Sequence, residues 1–391
     1  MSEWYQSNIG ELTELVTKGT TPSTKDGGFV ESGINYIKSD AVDYDGRIDR
    51  SKFVYISNEI HEKFKRSQLK SDDILFSMAG AFLGKIGLVT DDMLPANTNQ
   101  ALAIIRVDKS KAQTKFIQYF FRQKNIIDFV NNLSGQSAQP NINFQEIKSI
   151  DINIPSIIEQ NAIASVLSSL DDKIDLLHRQ NKTLESLAET LFRQWFIEEA
   201  QDNWEEKPLS EIAEFLNGVA CKKYFPKNEI DKLPVLKIKE LKNGISDLSD
   251  WATTDIDSEY IIENGDVIFA WSASLMVKIW DGEKCILNQH LFKVSSTEYP
   301  KWFYYWWCKH HLEEFISISA SHATTMGHIK RGDLDVAMVK IPKDDELKHM
   351  NLMMKPLLDK KIENSKQIKN LEKLRDTLLP KLMSGEVRVK H

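Results

Sequence analysis

The sequence predicts a mixed α/β protein, of α+β or α/β type, in which two similar globular modules are each followed by a long helix. Three observations predict this fold: an internal repeat offset by about 190 residues, short apolar segments typical of strands in each copy, and two long amphipathic helical segments. The chain has 391 residues, of which 41% are hydrophobic. That length corresponds to about two or three domains, and the apolar fraction excludes wholesale disorder.

The repeat is an ordered series of landmarks. Each copy has an amphipathic segment ending on glycine, an acidic turn before an apolar strand, a small-residue loop with a lysine, an Asn-Gln dipeptide, an aromatic helix, and Ile-Pro before a long helix. The landmarks are Gly19, Asp73, Lys85, Asn99-Gln100, Phe116–Phe121 and Pro155 in the first copy, and Gly218, Asp266, Lys278, Asn288-Gln289, Trp302–Trp307 and Pro342 in the second. The alternative is chance similarity among short apolar segments, which does not readily preserve one order throughout.

We therefore assign residues 1–155 and 202–342 to the two modules, and residues 156–201 and 343–391 to a central and a C-terminal helix. The central helix carries an almost uninterrupted heptad stripe, which is typical of a coiled-coil seam. The stripe consists of Ile163, Leu167, Leu170, Ile174, Leu177, Asn181, Leu184, Ala188, Leu191 and Trp195. Asn181 is the polar residue on this stripe, and a paired amide there is expected to fix the register of the helices.

The C-terminal helix has a less regular stripe. Its predicted seam residues are Leu358, Ile362, Ile368, Leu371 and Leu378. We expect this helix to begin near Pro356, to fray near Pro380 and to end at Gly385. Residues 159–199 contain eight acids and four bases, whereas residues 343–391 contain twelve bases and eight acids. This asymmetry favours an antiparallel pair of helices, although two independently solvated faces remain the alternative.

Several classes of protein are disfavoured by composition. No stretch approaches the roughly 18–20 apolar residues of a membrane helix, and no signal-peptide pattern is visible. Cys221, Cys285 and Cys308 indicate free thiols, so a reducing cytoplasmic location is expected. The formal net charge of -7, taken at face value, disfavours nucleic-acid binding.

No catalytic motif is recognisable in the sequence. Motifs that bind ATP or dinucleotides, that build an acyl-transfer nucleophile, or that methylate a base amino group are absent. The histidines offer no set of metal ligands. The sequence therefore predicts a non-catalytic binding subunit without a metal or cofactor of its own.

Four loops in each module combine cations with amide or hydroxyl groups, the side chains that hold phosphates and read base edges. In the first module the candidate DNA contacts are Lys18, Thr20, Thr21, Lys38, Ser77, Lys85, Gln136, Ser137, Gln139 and Asn141. In the second module they are Lys222, Lys223, Lys237, Lys239, Ser272, Lys278, His322, Thr324, Thr325, Lys330 and Arg331. Lys38, Lys237 and Lys239 are expected on strands, and Lys85 and Lys278 are matched as phosphate contacts.

At this point the chain resembles a known family, the specificity subunit of type I restriction–modification systems. Residues 154–160, 163–174, 181–185 and 191–196 are similar to the conserved helical region of that family. The segment SGQSAQPNIN at residues 134–143 resembles the loop that ends a target recognition domain. With the repeat, the resemblance covers essentially the whole chain.

The resemblance implies that each module is a target recognition domain that reads one half of a split, asymmetric site on double-stranded DNA. The helices would set the spacer and dock two methyltransferase subunits, which use S-adenosylmethionine to modify an adenine in each half-site. ATP- and Mg-dependent motor–nuclease subunits would complete the enzyme. The alternative is a coiled-coil scaffold with two modules that bind peptides or proteins.

The second half departs from the family pattern. Residues 343–346 replace Ile-Glu-Gln, and Pro356 comes early in the helix, so we expect imperfect twofold symmetry and less certain docking of the second methyltransferase there. Because the recognition loops are rich in lysine, the charge of -7 no longer argues against DNA. It predicts instead that the subunit alone binds DNA weakly.

Overall fold

The computed structural model describes residues 4–80, 83–133, 141–321 and 327–389. They form two compact units, one built from residues 1–172 with 373–391 and the other from residues 173–372. Both units mix helices and strands, which confirms the predicted mixed α/β class. Within these described ranges, none of the helices has both the length and the apolar composition needed to traverse a lipid bilayer.

Among its described residues, the first unit contains short helices and short strands, and the strands form three sheets. Its strands are β1 (Tyr5–Asn8), β2 (Thr13–Lys18), β3 (Ile34–Ile37), β4 (Val54–Ile56), β5 (Ile74–Ser77), β6 (Ile86–Leu88), β7 (Ala96–Thr98), β8 (Leu102–Val107) and β9 (Asp151–Ile154). Its helices are α1 (Asn58–Lys63), α2 (Thr114–Phe121), α3 (Lys124–Leu133), α4 (Phe144–Lys148) and the first part of α5 (Ile157–Arg193). The sheet orders are β2-β8-β5-β6, β4-β3-β7 and β1-β9, with β3 and β7 parallel.

The second unit has a similar arrangement, with four strands rather than three in its second sheet. Its strands are β10 (Glu205–Pro208), β11 (Glu214–Asn217), β12 (Lys232–Leu236), β13 (Trp251–Thr253), β14 (Ile261–Ile262), β15 (Val267–Ala270), β16 (Met276–Ile279), β17 (Cys285–Leu287), β18 (Leu291–Ser295) and β19 (Met338–Ile341). Its helices are α6 (Leu209–Ile212), α7 (Ile238–Asn243), α8 (Lys301–His310), α9 (Leu312–Ser321), α10 (Arg331–Val336) and most of α11 (Asp344–Met383). The sheet orders are β11-β18-β15-β16, β13-β12-β17-β14 and β10-β19, with β12 and β17 parallel.

In the first unit, the beginning of α5 packs beside the end of α11. Ile163 and Leu167 are buried in one cluster with Leu379 and Leu382, and the predicted seam residue Leu378 is half-buried against it. A helix with an apolar stripe must bury that stripe against another element, and here each helix supplies the partner of the other.

In the second unit, the remaining part of α5 is antiparallel to α11. Asn181 Nδ2 donates to Ser365 Oγ at 3.2 Å, and Glu185 forms an ion pair with Lys361. As the residue number rises along α5, the number of the contacted residue on α11 falls, as expected for antiparallel helices. The Oδ1 atom of Asn181 is buried without a hydrogen-bond partner among the described residues, so only half of this amide is satisfied.

The predicted seam is buried to different degrees. Ile163, Leu167, Ile174, Leu177, Ala188, Leu358 and Ile368 are buried, whereas Leu170, Asn181, Leu184, Leu191, Trp195, Ile362, Leu371 and Leu378 are half-buried. At the end of α5 the buried stripe has moved by one residue, to Phe192 and Phe196. A 3.6-residue helix drifts about 20° per heptad, so a strict 3.5-residue spacing leaves the core-facing side after several heptads. A π-helical turn at Gln194–Glu198 adds further rotation.

The expected start of the C-terminal helix was wrong. α11 begins at Asp344 and passes through Pro356 without a break. Pro356 removes the hydrogen bond to the Leu352 carbonyl, but both residues lie on the exposed face of the helix, where water can solvate that carbonyl. The helix ends at Met383, and Gly385 follows with a φ of 77°, the left-handed conformation common after a helix C-terminus.

The expected strand through Lys239 was also wrong. β3 ends at Ile37 and β12 ends at Leu236, so Lys38 and Lys237 directly follow their strands, and Lys239 lies exposed on α7. Ile238 and Leu241 contact the same core cluster three residues apart, which requires helical rather than alternating spacing.

One glycine in each unit lets its own backbone segment pass close to a turn between two sheets. Gly19 approaches the turn between β7 and β8, and Gly218 approaches the turn between β17 and β18. A Cβ atom built on Gly19 would lie 2.1 Å from the Thr98 carbonyl oxygen, and one on Gly218 would lie 2.3 Å from that of Asn288. These carbonyl oxygens already accept backbone hydrogen bonds, Thr98 O from Thr20 N and Asn288 O from Leu291 N, so they cannot move aside at low cost.

Gly19→Ala and Gly218→Ala should each destabilise the chain by on the order of 2 kcal/mol, because a methyl group would overpack a rigid site. Gly332→Ala is the matched control, since nothing lies within 4 Å of its Cβ position. Thermal unfolding of the full chain measures the effect. A Gly218 variant as stable as the Gly332 variant would contradict the close-approach argument.

A buried ionic cluster in the first unit joins α2, α5 and the end of α11. Arg122 Nη1 donates to Asp171 Oδ2 at 2.5 Å, Arg375 Nη1 to Asp171 Oδ1 at 3.1 Å, and Tyr119 Oη to Asp171 Oδ2 at 2.7 Å. Burial by itself raises the pKa of Asp171, but these three donors together favour the carboxylate, so its pKa lies below the ordinary value.

Asp171→Asn should lower the free energy of unfolding at neutral pH by on the order of 3 kcal/mol, because Arg122 and Arg375 would lose their buried counter-charge. The folded-state pKa is depressed, so this stabilisation is present above the unfolded pKa of about 3.9 and is lost as pH falls through the folded value. The difference from wild type should therefore shrink in denaturant titrations at acidic pH. Exposed Asp172→Asn is the control and should change little at either pH.

Candidate nucleic-acid interface

One end of the four-stranded sheet in the first unit gathers several predicted DNA contacts. Lys18 and Ser77 lie opposite the first residues of β8, and Lys85 directly precedes β6 at the same end. The turn Asn99–Ala101, which leads into β8, lies there as well. The register of the strands therefore brings together side chains that are far apart in the sequence.

Three further predicted residues, Thr20, Lys38 and Asn141, are placed at this end of the sheet by the course of the backbone. The Thr20 carbonyl accepts a hydrogen bond from Tyr36 Oη at 2.9 Å. Lys38 directly follows β3, which runs parallel to β7, the strand before the turn Asn99–Ala101. Lys38 Nζ lies 3.9 Å from Asp40 Oδ2. Asn141 forms an isolated β-bridge with Ala79, just beyond β5.

The turn Asn99–Ala101 is clamped by backbone hydrogen bonds. Gly19 N donates to Leu102 O at 3.3 Å, Thr20 N to Thr98 O at 3.0 Å, and Leu102 N to Asn99 O at 3.3 Å. The side chain of Gln100, at the centre of this turn, is exposed.

The turn Asn288–His290 is clamped in the same way in the second unit. Gly218 N donates to Leu291 O at 3.1 Å, Val219 N to Leu287 O at 3.1 Å, and Leu291 N to Asn288 O at 3.0 Å. The pattern reproduces that of the first unit bond for bond. It places an exposed Gln289 at the centre of the second turn.

A cleft of about 660 Å³ opens beside the second turn. Its lining includes Lys222, Phe225, Lys237, Asp250, Trp251 and the turn residues Asn288, Gln289 and His290. Lys237 forms an ion pair with Asp250, and this hydrogen bond lowers the pKa of Asp250 below its usual range. Phe225 and Trp251 are partly exposed at the cleft, where flat apolar faces and cations could contact nucleotides.

Two predicted serines are buried instead. Ser77 is 2% exposed on β5, and Ser272 is 5% exposed, with its hydroxyl 3.2 Å from His290 Nδ1. The sequence suggested contact loops at both positions because small polar residues follow an apolar strand. Burial removes both hydroxyls from a partner's reach, so we withdraw them as direct contacts.

The matching of Lys278 with Lys85 was wrong by two positions. β5 pairs Phe76 with Ile86, whereas the equivalent Phe269 pairs with Val277, so the structural counterpart of Lys85 is Met276. The second hairpin loop is shorter by two residues, which the order of the landmarks did not reveal. Lys278 lies inside β16, 3.0 Å from Asp281.

Arg331, another predicted DNA contact, makes contacts within its own unit. Its Nη2 donates to Phe215 O at 3.2 Å, and it lines a depression that also contains Glu211, Glu214 and Asp335. Acidic side chains around an arginine disfavour an approaching phosphate, so its contacts favour a role within the unit.

The remaining predictions fall into two groups. Thr21, Lys222, Lys223, Lys239 and Lys330 are exposed, and the structure does not test whether they contact DNA. Gln136, Ser137, Gln139, His322, Thr324 and Thr325 lie outside the described residues. The first polar loop is therefore represented here by Asn141 alone.

The structure adds residues that the sequence-based candidates omitted. The Asn-Gln turns are the main addition, and Trp271 is another, with its ring 5.9 Å from that of His290 and its Nε1 donating to Asn217 Oδ1 at 3.2 Å. The repeated Asn-Gln dipeptide was a usable signal, because it was a landmark of both copies. Among the described residues, no cluster of three or more His, Cys, Asp or Glu side chains could hold a metal ion.

Two alike units, each with amide and cationic groups at one sheet end, define a recognition protein with two binding modules. The family model for the type I restriction modification DNA specificity domain matches residues 1–186 and 201–373, so the chain belongs to that family. Members of this family are specificity subunits rather than enzymes, and this chain is accordingly a non-catalytic DNA specificity subunit.

Known relatives cover nearly the whole chain. It is 28% identical to the type I restriction enzyme MjaIX specificity subunit of Methanocaldococcus jannaschii, over 99% of this chain and 94% of the relative. It is 23% identical to the MjaVIII specificity subunit of the same organism, over 100% and 94%. The crystal structure of a type I restriction–modification S subunit from M. genitalium shares the fold, with a TM-score of 0.61 at 16% identity, over 98% and 96%. These matches do not support the alternative of a peptide-binding scaffold.

Lys85→Ala should weaken DNA binding and reduce the slope of log K against log salt by about 0.9, because one phosphate contact would be lost. Lys109→Ala is the control, since it lies beyond the opposite end of β8 and pairs with Asp72 at 2.6 Å. Lys278→Ala should leave the slope nearly unchanged because of its position within β16. Equilibrium titrations of the assembled complex at several salt concentrations provide the measurement, and equal slopes for wild type and the Lys85 variant would rule out the contact.

Proposed function

We propose that each unit reads one half of a bipartite, asymmetric DNA site within a type I restriction–modification complex. The observation that carries this proposal is that the two units share the same backbone arrangement around the clamped turn but differ in the side chains at equivalent positions. Equivalent positions around the clamped turn hold Thr20 and Val219, Lys85 and Met276, and Asn141 and His328. Reading two different half-sites requires different donors, acceptors and apolar groups in one frame.

We further propose that α5 and α11 act as an antiparallel coiled coil and that the two halves are related by an approximate twofold repeat. Asn181–Ser365 and Glu185–Lys361 support the antiparallel pairing in the second unit. The starts of α5 and α11 share one feature that supports this repeat despite the differences in sequence. Glu346 is the third residue of α11, as Glu159 is of α5.

These two glutamates are both tied to the chain around them. Glu159 is buried and accepts hydrogen bonds from Arg388. Glu346 accepts from Trp204 Nε1 at 2.9 Å and from Gln201 Nε2 at 2.8 Å. The beginning of each long helix is thus anchored through a glutamate, which supports a similar role for both helix starts.

The helices are proposed to dock two methyltransferase subunits, with motor–nuclease subunits completing the complex. Exposed apolar residues on the helices support such docking: Ile158, Leu176, Leu187 and Leu352. S-adenosylmethionine, ATP and Mg would be used by these partners, and flipping of the target adenine would belong to the methyltransferase. We propose that this chain needs no cofactor of its own and acts in the cytoplasm.

Co-expression with the methyltransferase subunit, followed by mapping of methylated adenines, tests the function. We expect a bipartite motif. Replacing residues 1–155 with the corresponding segment of a related subunit should change one half of the motif and leave the other half intact. This segment contains both β1 and β9, which pair with each other, so the exchange keeps that sheet whole.

The reciprocal exchange of residues 202–342 is the matched control and should alter the other half alone. It likewise keeps β10 and β19 together. A motif that is not bipartite, or one that survives both exchanges, would refute the assignment of one half-site to each unit.

A further inference from the structure

The turns Asn99–Ala101 and Asn288–His290 are equivalent features of the two units. Both carry Asn followed by Gln, both lead into an inner strand of a four-stranded sheet, and both are held by the same three backbone hydrogen bonds. The backbone at each turn therefore holds the Cα atom of its second residue in a defined place.

We propose that Gln100 and Gln289 donate hydrogen bonds from their side-chain amides to phosphate oxygens of DNA, and that this is a contact the two units share. The inference rests on the proposed function, because it requires each unit to bind one half of a DNA site. It assigns a positioning role to two residues outside the predicted contact loops.

The first argument concerns what the two half-sites have in common. Side chains around the turns differ between the units, as Lys85 and Met276 do, and such differences suit different base sequences. A residue that is the same in both units suits a chemical feature that both half-sites contain. The sugar–phosphate backbone is such a feature, and amide side chains are among its usual donors.

The second argument concerns what the turn itself requires. Its geometry is maintained by backbone groups and by the glycine that approaches them, Gly19 or Gly218. The Gln100 and Gln289 side chains are exposed, and that of Gln289 has its Nε2 3.3 Å from His290 Nε2. A role confined to turn stability would not need an exposed amide at this position in either unit.

The third argument is electrostatic. Lys18 and Lys85 lie at the same sheet end as Gln100, and Lys222 and Lys237 line the cleft beside Gln289. Cations attract the phosphate chain, and an amide on a turn whose backbone is hydrogen-bonded in place can then fix its position. The competing possibility is a base contact, since glutamine can pair with the N6 and N7 atoms of adenine.

The test uses the complex assembled with the methyltransferase subunits and the variants Gln100→Ala, Gln289→Ala and Gln100→Lys. Gln6→Ala is the matched control, because Gln6 is an exposed glutamine on β1, in a different sheet. Binding constants are measured at several salt concentrations for the cognate duplex and for duplexes in which one half-site is scrambled. The methylated motif is sequenced for each variant.

We expect each alanine variant to weaken binding to cognate and scrambled duplexes by similar factors, about threefold to tenfold, as for loss of one hydrogen bond. The salt slope should stay the same, because the amide is neutral, and the motif should not change. Gln100→Lys should recover affinity and steepen the slope by about 0.9, because it adds a cation at a phosphate. Gln6→Ala should match wild type.

Other results would overturn the inference. A loss confined to the cognate duplex, together with a relaxed motif, would assign the glutamines to base reading. Unchanged binding in both alanine variants would remove them from the interface. Failure of the proposed function would be distinct, because wild type itself would then show no preference for the cognate duplex.

Discussion

The first unit depends on being closed by residues from the other end of the chain. Leu379 and Leu382 complete its apolar cluster, and Arg375 supplies a counter-charge to Asp171. Arg388 does the same for Glu159, which is 2% exposed. Without residues 373–389, this core would expose apolar surface and leave two carboxylates with fewer partners. The N-terminal module is therefore not a self-sufficient sequence segment, although it looks like one.

Because the cores are closed elsewhere, the exposed side chains at the sheet ends can differ in identity. In each unit the backbone approaches the Asn-Gln turn at a glycine, and the strands around it hold neighbouring side chains in place. Substitutions at exposed positions of this frame need not disturb the sheet. This separation of the backbone frame from the exposed side chains suits a DNA specificity domain, the family to which the chain belongs.

Much of the architecture could be predicted because it follows local rules. The repeated landmarks predicted two alike modules, and burial of Ile163, Leu167, Ile174 and Leu177 agrees with the heptad reading of α5. The errors arose where a position depends on another segment. Met276 replaces Lys278 as the counterpart of Lys85 because strand pairing, rather than sequence spacing, defines equivalence.

The candidate nucleic-acid interface was also predictable in part, because the chemistry of its side chains is a local property of the sequence. Composition identified loops with cations and amides, and several of them meet at one sheet end. It could not reveal that Ser77 is buried, that Arg331 bonds within its own unit, or that Pro356 lies where water can solvate the freed carbonyl. Each of these depends on which atoms are nearby in space.

The sequence by itself determined the mixed α/β class, the two alike modules, the presence of two long helices and the kinds of side chain available for DNA. These features follow from periodicity and residue chemistry, which act over a few residues. Only the tertiary structure decided which of those side chains share a surface and which exposed glutamines stand on clamped turns. Strand register and helix pairing join residues distant in the chain, and their free energy depends on contacts that no local pattern encodes.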